Sequence, residues 1–517
     1  MNKKTSNKTI KSINQIGSET IGRVILMGLL FFFCSLSFAF AQWEPDIRLT
    51  FDASNSETSW NDEWCVAAHG DRVHVVWFDD RDGNDEIYYK RSTDAGSTWG
   101  TDTRLTNAPD NSWYPSIAVS GSNIHVVWFD YRDGDFEIYY KRSIDGGTTW
   151  ETDIRLTNMP GFSNYPTIAV TDSNLHIVWH DGRDGNSEIY YKRSIDNGTT
   201  WETDIRLTEN GAFSWNPTVA VSGLDVHVLW YDKRDGNYEV YYKRSTDAGS
   251  TWGTDTRLTN DSFVSEWPSV GVSGSNLHVV WDDSRDGVTY QIYYKRSTDA
   301  GTTWETDTKI TNSSQLADHP SVNVSDSNIH VVWNDWRDIN AEIYYKRSTD
   351  SGITWETDTR LTNNPATSQC ASVAVADSSV HVVWFDTRDG NREIYYKRNP
   401  TGNPGPGIEE HLSGVVTGTK GSLRVLPNPF SKSTNISFGK EQSAEGIELK
   451  IYDVTAHLVK DFSRLTHDAL RSTHITWDGT NDVGQKLPAG VYFVQLAINS
   501  VGKNGNYKNI QKVILLK

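Results

Sequence analysis

Cysteine and methionine are scarce in this chain, three of each among 517 residues. So few cysteines exclude a scaffold stapled by several disulfides. Basic charge is also short, with 49 Lys and Arg against 67 Asp and Glu, a formal charge of −18. That balance argues against DNA, RNA or an anionic membrane surface as the main partner, since binding to such surfaces is carried by Lys and Arg. Hydrophobic residues make up only 37%, which does not fit a multi-span membrane protein. No segment shows the 3.6-residue period of a helix, so helical-repeat solenoids are excluded too. Length alone suggests two or three domains. The residue in excess is tryptophan, with 21 copies.

Residues 1–41 read as a secretory signal peptide. Lys3, Lys4, Lys8, Lys11 and Arg23 form a positive start, Val24 to Ala41 is predominantly apolar, and Ala39-Phe40-Ala41 offers a small-x-small cleavage site. Cleavage places the mature start near Gln42 and leaves 44 basic against 66 acidic residues, a charge of −22. The rival reading is an N-terminal membrane anchor. Cys34 follows Phe33, where a lipoprotein signal needs a small residue.

A repeat occupies most of the mature chain. A tetrapeptide His-x-x-Trp recurs at His74–Trp77, His125–Trp128, His176–Trp179, His227–Trp230, His278–Trp281, His330–Trp333 and His381–Trp384, at offsets of 51 or 52 residues. Each unit holds four short runs rich in Val, Ile, Tyr and Trp, separated by Gly, Asp, Ser and Asn, which is the signature of strands and turns. Four strands per unit is the pattern of a propeller blade. The seventh unit breaks off after Arg398, and Trp43–Thr50 matches the missing strand as found in Trp150–Thr157. The expected fold is all-β: a seven-bladed β-propeller over residues 42–398, closed by the N-terminal strand so that no sheet edge is left open, then a small β-sandwich.

The turn before the fourth strand carries Ser-x-Asp-x-Gly-x-Thr-Trp at Ser92–Trp99, Ser143–Trp150, Ser194–Trp201, Ser245–Trp252, Ser297–Trp304 and Ser348–Trp355. The Asp accepts backbone N–H bonds across the turn, the Gly takes positive φ, and the Trp packs between sheets. The motif resembles the Asp-box, or bacterial neuraminidase repeat, of sialidase-like propellers. In that family these boxes are structural turns on the face away from the active site. The resemblance therefore implies the fold more than the chemistry. The family's Phe/Tyr-Arg-Ile-Pro element has no match here, since Arg48 lies in Ile47-Arg-Leu-Thr50 without the proline. Sialidase propellers also have six blades.

Residues 399–422, with Asn403-Pro-Gly-Pro-Gly407, read as a linker. Strand alternation resumes over 423–517, as in Ile447–Tyr452 and Val491–Ile498, and suggests an immunoglobulin-like sandwich. Leu426-Pro-Asn-Pro-Phe430, Trp477-Asp-Gly479, Ala489-Gly-Val-Tyr492 and the terminal Lys512–Lys517 resemble the type A sorting domain of the type IX secretion system. That resemblance implies passage through the periplasm, recognition by the type IX secretion machinery, and a secreted or outer-surface location. The alternative is an accessory domain that binds something itself.

In a four-stranded meander the blade-to-blade and 2–3 loops share the face opposite the Asp-boxes. Six tryptophans outside the repeated positions map to it: Trp60, Trp64, Trp113, Trp215, Trp267 and Trp336. One position, eleven residues before the repeated His, varies freely and reads Glu63, Tyr114, Tyr165, Asn216, Trp267, His319, Cys370. Aromatic planes of this kind stack on sugar rings or peptide side chains. The expected ligand site is therefore Glu63, Trp113, Tyr114, Tyr165, Trp215, Trp267, His319 and Trp336. The competing view is that these residues pack under their own loops.

A loop Asp-x-Arg-Asp-Gly recurs with Arg81, Arg132, Arg183, Arg234, Arg285, Arg337 and Arg388. Seven copies favour neutralisation within each turn, by Asp and by neighbours such as Glu86, Glu137 and Glu188, over a functional pocket. Calcium is disfavoured because Arg81 sits among Asp79, Asp82 and Glu86. No metal or cofactor is implied. Cys65 and Cys370 belong to blades that a ring makes neighbours, so a disulfide between them is one possibility and two separate thiols the other.

The leading expectation is a monomeric, non-enzymatic binding propeller, secreted or displayed on the cell surface, for a glycan or a surface protein. The alternatives are a sialidase-like glycoside hydrolase, with Glu63 and His319 as the catalytic candidates, and a structural adhesion component.

Overall fold

The computed structural model describes residues 43–59, 64–287, 289–402, 423–426, 432–438, 444–453, 457–462, 474–500 and 507–515. The expected signal peptide, nearly all of the expected linker, Trp60 and Glu63 lie outside the described residues. Every assigned element is a strand. Residues 1–410 and 411–517 divide into two compact units.

The first unit is a propeller of seven sheets, numbered here by their inner strands: Val66–His69, Ser112–Ser120, Ser163–Thr171, Ser214–Ser222, Ser265–Ser273, Ala317–Ser325 and Ser368–Ala376. Blade two is typical. Ser112–Ser120 pairs with Asn123–Asp130, which pairs with Glu137–Ser143, which pairs with the short outer strand Ile154–Arg155. In blade seven the outer position is taken by Ile47–Arg48, with Ile47 opposite Tyr396 and Arg48 opposite Tyr395. Each inner strand lies beside the next, and Ser368–Ala376 lies beside Val66–His69. Thr58 Oγ1 donates to the Cys370 carbonyl at 2.8 Å, and the Cys65 N–H to Ser372 Oγ at 3.2 Å.

The second strand of each blade is buried on both faces, and its alternation decides which neighbour each residue meets. Ile124, Val126 and Trp128 pack against Val76, Ile87 and Tyr89 of blade one. Val127 and Phe129 turn the other way, towards Ile168, Ile177 and Trp179 of blade three. Period-2 patterning thus serves two interfaces at once. The seven repeated tryptophans are fully buried, and each indole N–H reaches a carboxylate two residues on, as Trp128 Nε1 does to Asp130 at 2.9 Å.

The Ser-x-Asp-x-Gly-x-Thr-Trp turns show the expected bonding. Asp145 Oδ1 accepts N–H bonds from Thr148 and Thr149, both at 2.9 Å, while Oδ2 accepts from the Thr149 hydroxyl at 2.7 Å. These bonds favour the charged form and hold the carboxyl below its usual range. Gly147 has φ +79, and a Cβ there would lie 2.1 Å from the Tyr89 hydroxyl of the preceding blade. Trp150 meets that same Tyr89 edge to face at 4.9 Å. Each of these turns thus locks one blade onto its neighbour.

Each loop arginine is held within its turn, although by partners that differ in part from those expected. Arg132 bonds Asp130 through Nε at 2.8 Å and Asp153 of the outer strand through Nη1 at 2.8 Å, and lies over the Tyr139 ring. The neighbouring glutamates are engaged elsewhere: Glu86 takes Arg104 at 2.8 Å, and Glu188 takes Arg206 at 2.9 Å. Of the two possibilities for the cysteines, the structure has the separate thiols. Cys65 and Cys370 are separate buried thiols, and Cys65 Sγ instead accepts the Ser59 N–H at 3.1 Å and faces the Pro115 carbonyl at 3.7 Å.

The second unit is a sandwich of two antiparallel sheets. One holds Leu423–Leu426, Thr434–Phe438 and His474–Trp477, and the other Leu458–Asp461, Ala444–Asp453, Gly490–Ser500 and Tyr507–Leu515. Its core gathers Ile436, Leu449, Ile451, Trp477, Val494 and Val513.

The repeated histidines are buried with Nδ1 against a tyrosine hydroxyl, at 2.7 Å for His125 and Tyr140. Burial lowers them to about 3 in His74, His125 and His330, and to about 4 in His176, His227, His278 and His381. The unfolded chain binds these protons near pH 6.5 and the folded one does not, so stability falls as pH drops from 6.5 towards 4. The slope is about 1.4 kcal/mol per pH unit for each histidine. Denaturant midpoints measured from pH 8 to 4 should therefore fall steeply below pH 6; a flat profile to pH 4.5 would contradict neutral burial. Removing Trp43–Thr50 uncovers the Glu393–Asn399 edge, and should lower the melting temperature by roughly 5 °C or more and promote association.

Candidate functional site

The inner strands carry a shared irregularity. In blade two Trp113 pairs with Phe129 but Ser116 pairs with Val127, so one extra residue is accommodated. The same bulge occurs in blades three to seven. At its centre the backbone is left-handed: φ is +51 at Tyr114, +53 at Tyr165, +46 at Asn216, +53 at Trp267, +54 at His319 and +55 at Cys370. In blade one Trp64 takes φ +64. None of these is glycine, and the conformation costs an L-residue about 1–2 kcal/mol. Bulges re-aim a side chain, and this one occupies the variable position singled out in the sequence.

The bulge residues fall into two groups. On blades two and three, Tyr114 and Tyr165 meet at 5.0 Å between centroids; Tyr114 stacks on Phe129 at 5.4 Å and Tyr165 on His180 at 5.2 Å. On blades five and six, Trp267 meets His319 at 4.9 Å. Tyr231 lies between the groups, receiving an Asn216 amide bond at 3.3 Å and facing Trp267 at 6.0 Å. All of these bulge side chains are half-buried except Cys370, which is enclosed. Below them runs an axial cavity of about 210 Å³, lined at one position per blade by Ala67, Ala118, Ala169, Ala220, Gly271, Asn323 and Ala374.

The remaining expected site residues are used differently. Trp113 donates its indole N–H to Asp85 at 2.6 Å and packs on Phe129 and Phe136. Trp215 stacks between the exposed Phe213 at 5.2 Å and Tyr238 at 5.7 Å. Trp336 is half-buried in its own 2–3 loop, where its backbone N–H meets the Leu316 carbonyl at 2.9 Å.

Sequence reasoning missed a polar cluster around Trp267 and His319. Glu266 precedes Trp267 and accepts the Tyr290 hydroxyl at 2.8 Å. Asp318 precedes His319 and accepts the Asn334 amide at 3.0 Å. Asp282 accepts the His319 backbone N–H at 3.1 Å. Burial raises both the Glu266 and Asp318 carboxyls, opposed in each by the nearby His319. The signal was available. Columns adjoining the bulge read Trp113, Asn164, Trp215, Glu266, Asp318, Gln369 and Phe78, Phe129, His180, Tyr231, Asp282, Asn334, Phe385, both as variable as the one compared.

Residues 424–515 match the secretion system C-terminal sorting domain. The chain is thus exported by type IX secretion to the cell surface or the extracellular space. No curated protein matches the sequence. Among solved structures, a PL25 ulvan lyase bound to -[GlcA(1-4)Rha3S]- aligns with a TM-score of 0.51 at 14% identity, over 68% of this chain and 95% of its own. The polysaccharide lyase Uly1 aligns with a TM-score of 0.51 at 10% identity, over 70% of this chain and 100% of its own. A Hadza microbial sialidase aligns at 0.39 and 14% identity, over 63% and 73% of the two chains. At these identities the first two likenesses show a shared propeller fold and no more.

The left-handed bulge sets up a direct comparison of variants. Trp267→Gly and Trp267→Ala lose the same indole, but only alanine keeps a Cβ at φ +53. The glycine variant should be the more stable by about 1 kcal/mol, reversing the usual order of these residues. Equal denaturant midpoints would argue against strain at the bulge.

Proposed function

We propose that this exported propeller is a non-enzymatic glycan-binding protein, and that its ligand lies across the rim formed by the inner-strand bulges. The observation that carries this reading is the placing of Tyr114, Tyr165, Trp267 and His319, half-buried and left-handed, at one structurally equivalent position. Strained backbone persists where a side chain must be aimed. Flat rings beside buried polar groups are what sugar recognition requires: faces for the apolar side of a pyranose and fixed partners for its hydroxyls. Asn216, half-buried beside the Tyr231 hydroxyl, supplies such a partner. The sorting tail delivers this rim to the outer surface, where polysaccharides are met.

A second reading, a glycoside hydrolase, is supported by the raised carboxyls of Glu266 and Asp318 on either side of His319. Paired carboxyls with perturbed protonation are the equipment of glycosidic cleavage. Glu63 and His319 remain the catalytic candidates from the sequence, joined by Glu266 and Asp318.

The two readings part in one experiment. The purified mature protein should bind a subset of an immobilised glycan library and release no product from a panel of fluorogenic glycosides. Trp267→Ala should weaken that binding by roughly tenfold or more, as expected for a buried aromatic anchor. Turnover lost in both Glu266→Gln and Asp318→Asn would establish the hydrolase instead.

A further inference from the structure

We infer that the rim selects uncharged, hydroxyl-rich sugar chains and rejects uronate-bearing or sulfated ones. This rests on the glycan-binding reading and specifies its ligand class. Carboxyl groups stand at both ends of the aromatic path. Glu266, Asp282 and Asp318 surround Trp267 and His319 on blades five and six. On blade one, Glu57 contributes to the field at Tyr114, and Asp85 holds Trp113.

The arginines of this face are already engaged, and Lys233 lies over the Tyr238 ring at 5.2 Å. Arg392 bonds Glu57 and lies over the Phe385 ring at 5.4 Å. The repeated loop arginines are held by the aspartates of their own blades, as Arg285 is by Asp283 and Asp307. A carboxylate or sulfate entering the rim would meet like charge, and juxtaposed like charges cost several kcal/mol when partly desolvated. Neutral hydroxyls meet no such penalty. They can donate to the carboxyl oxygens of Glu266 and Asp318, which accept hydrogen bonds from Tyr290 and Asn334. The fold neighbour holding a glucuronate and sulfated rhamnose chain therefore points to the wrong class of ligand for these side chains.

Matched oligosaccharides provide the test. Binding of the mature chain to mannan and glucan oligomers is compared by calorimetry with binding to mannuronate, glucuronan and sulfated counterparts of equal length. At pH 7 and low salt a neutral chain should bind at least about tenfold more tightly than its anionic counterpart. Raising the salt should narrow that gap as the carboxylates are screened. Glu266→Gln and Asp318→Asn should each improve anionic binding a few-fold, with melting curves recorded so that loss of fold is not read as loss of selectivity. Equal or tighter binding of the anionic chains would overturn the selectivity and leave the glycan reading standing. Binding of none of these sugars would remove both.

Discussion

A buried aspartate at the end of each second strand organises the propeller. Asp130 receives the Trp128 indole N–H, the Ser112 hydroxyl at 2.8 Å, and both the backbone and side chain of Arg132. Arg132 in turn reaches Asp153 on the outer strand. One carboxylate thereby ties the start of the inner strand, the end of the second, the 2–3 loop and the outer strand. A charge buried so completely is tolerated only when paired and fully hydrogen-bonded, so the surrounding residues have little freedom to vary. The bulge begins one residue beyond Ser112. Its side chains can differ from blade to blade because the strand beneath them is anchored by groups that do not.

That division of labour explains what could be read in the sequence. Strands, repeat length and the Ser-x-Asp-x-Gly-x-Thr-Trp turns were legible because each rests on local bonding written seven or six times. The place of Trp43–Thr50 was legible because it repeats the outer strand of other blades. The bulge was not. Tyr114, Tyr165, Asn216, Trp267 and His319 all precede proline, and single-residue preferences put such positions in extended backbone rather than at positive φ. Only the ladder around them, with Asp130 holding Ser112, imposes that geometry.

The candidate site was only partly legible as a cluster of side chains. Comparing one column identified the residues that line the rim, but side chains one residue earlier and at the end of the second strand supply most of its acidity. Sequence offsets do not reveal that Glu266 and Asp318 lie beside the same imidazole, because they stand on neighbouring blades 52 residues apart. The cysteines illustrate the converse. The strands that carry Cys65 and Cys370 are neighbours, yet the two thiols are not joined, and the Cys65 sulfur meets the Ser59 N–H and the Pro115 carbonyl.

The pairing of Ile47–Arg48 with Tyr395–Tyr396 has a consequence for how the molecule matures. The β-segment made first must wait, unpartnered, until about 350 residues later its complement exists. Until then each intermediate presents an open ladder on its final sheet, and the rim formed by the inner-strand bulges lacks a stable frame. The C-terminal export signal is made later still, so the chain reaches the secretion machinery only after everything needed for its longest-range contact has been synthesised.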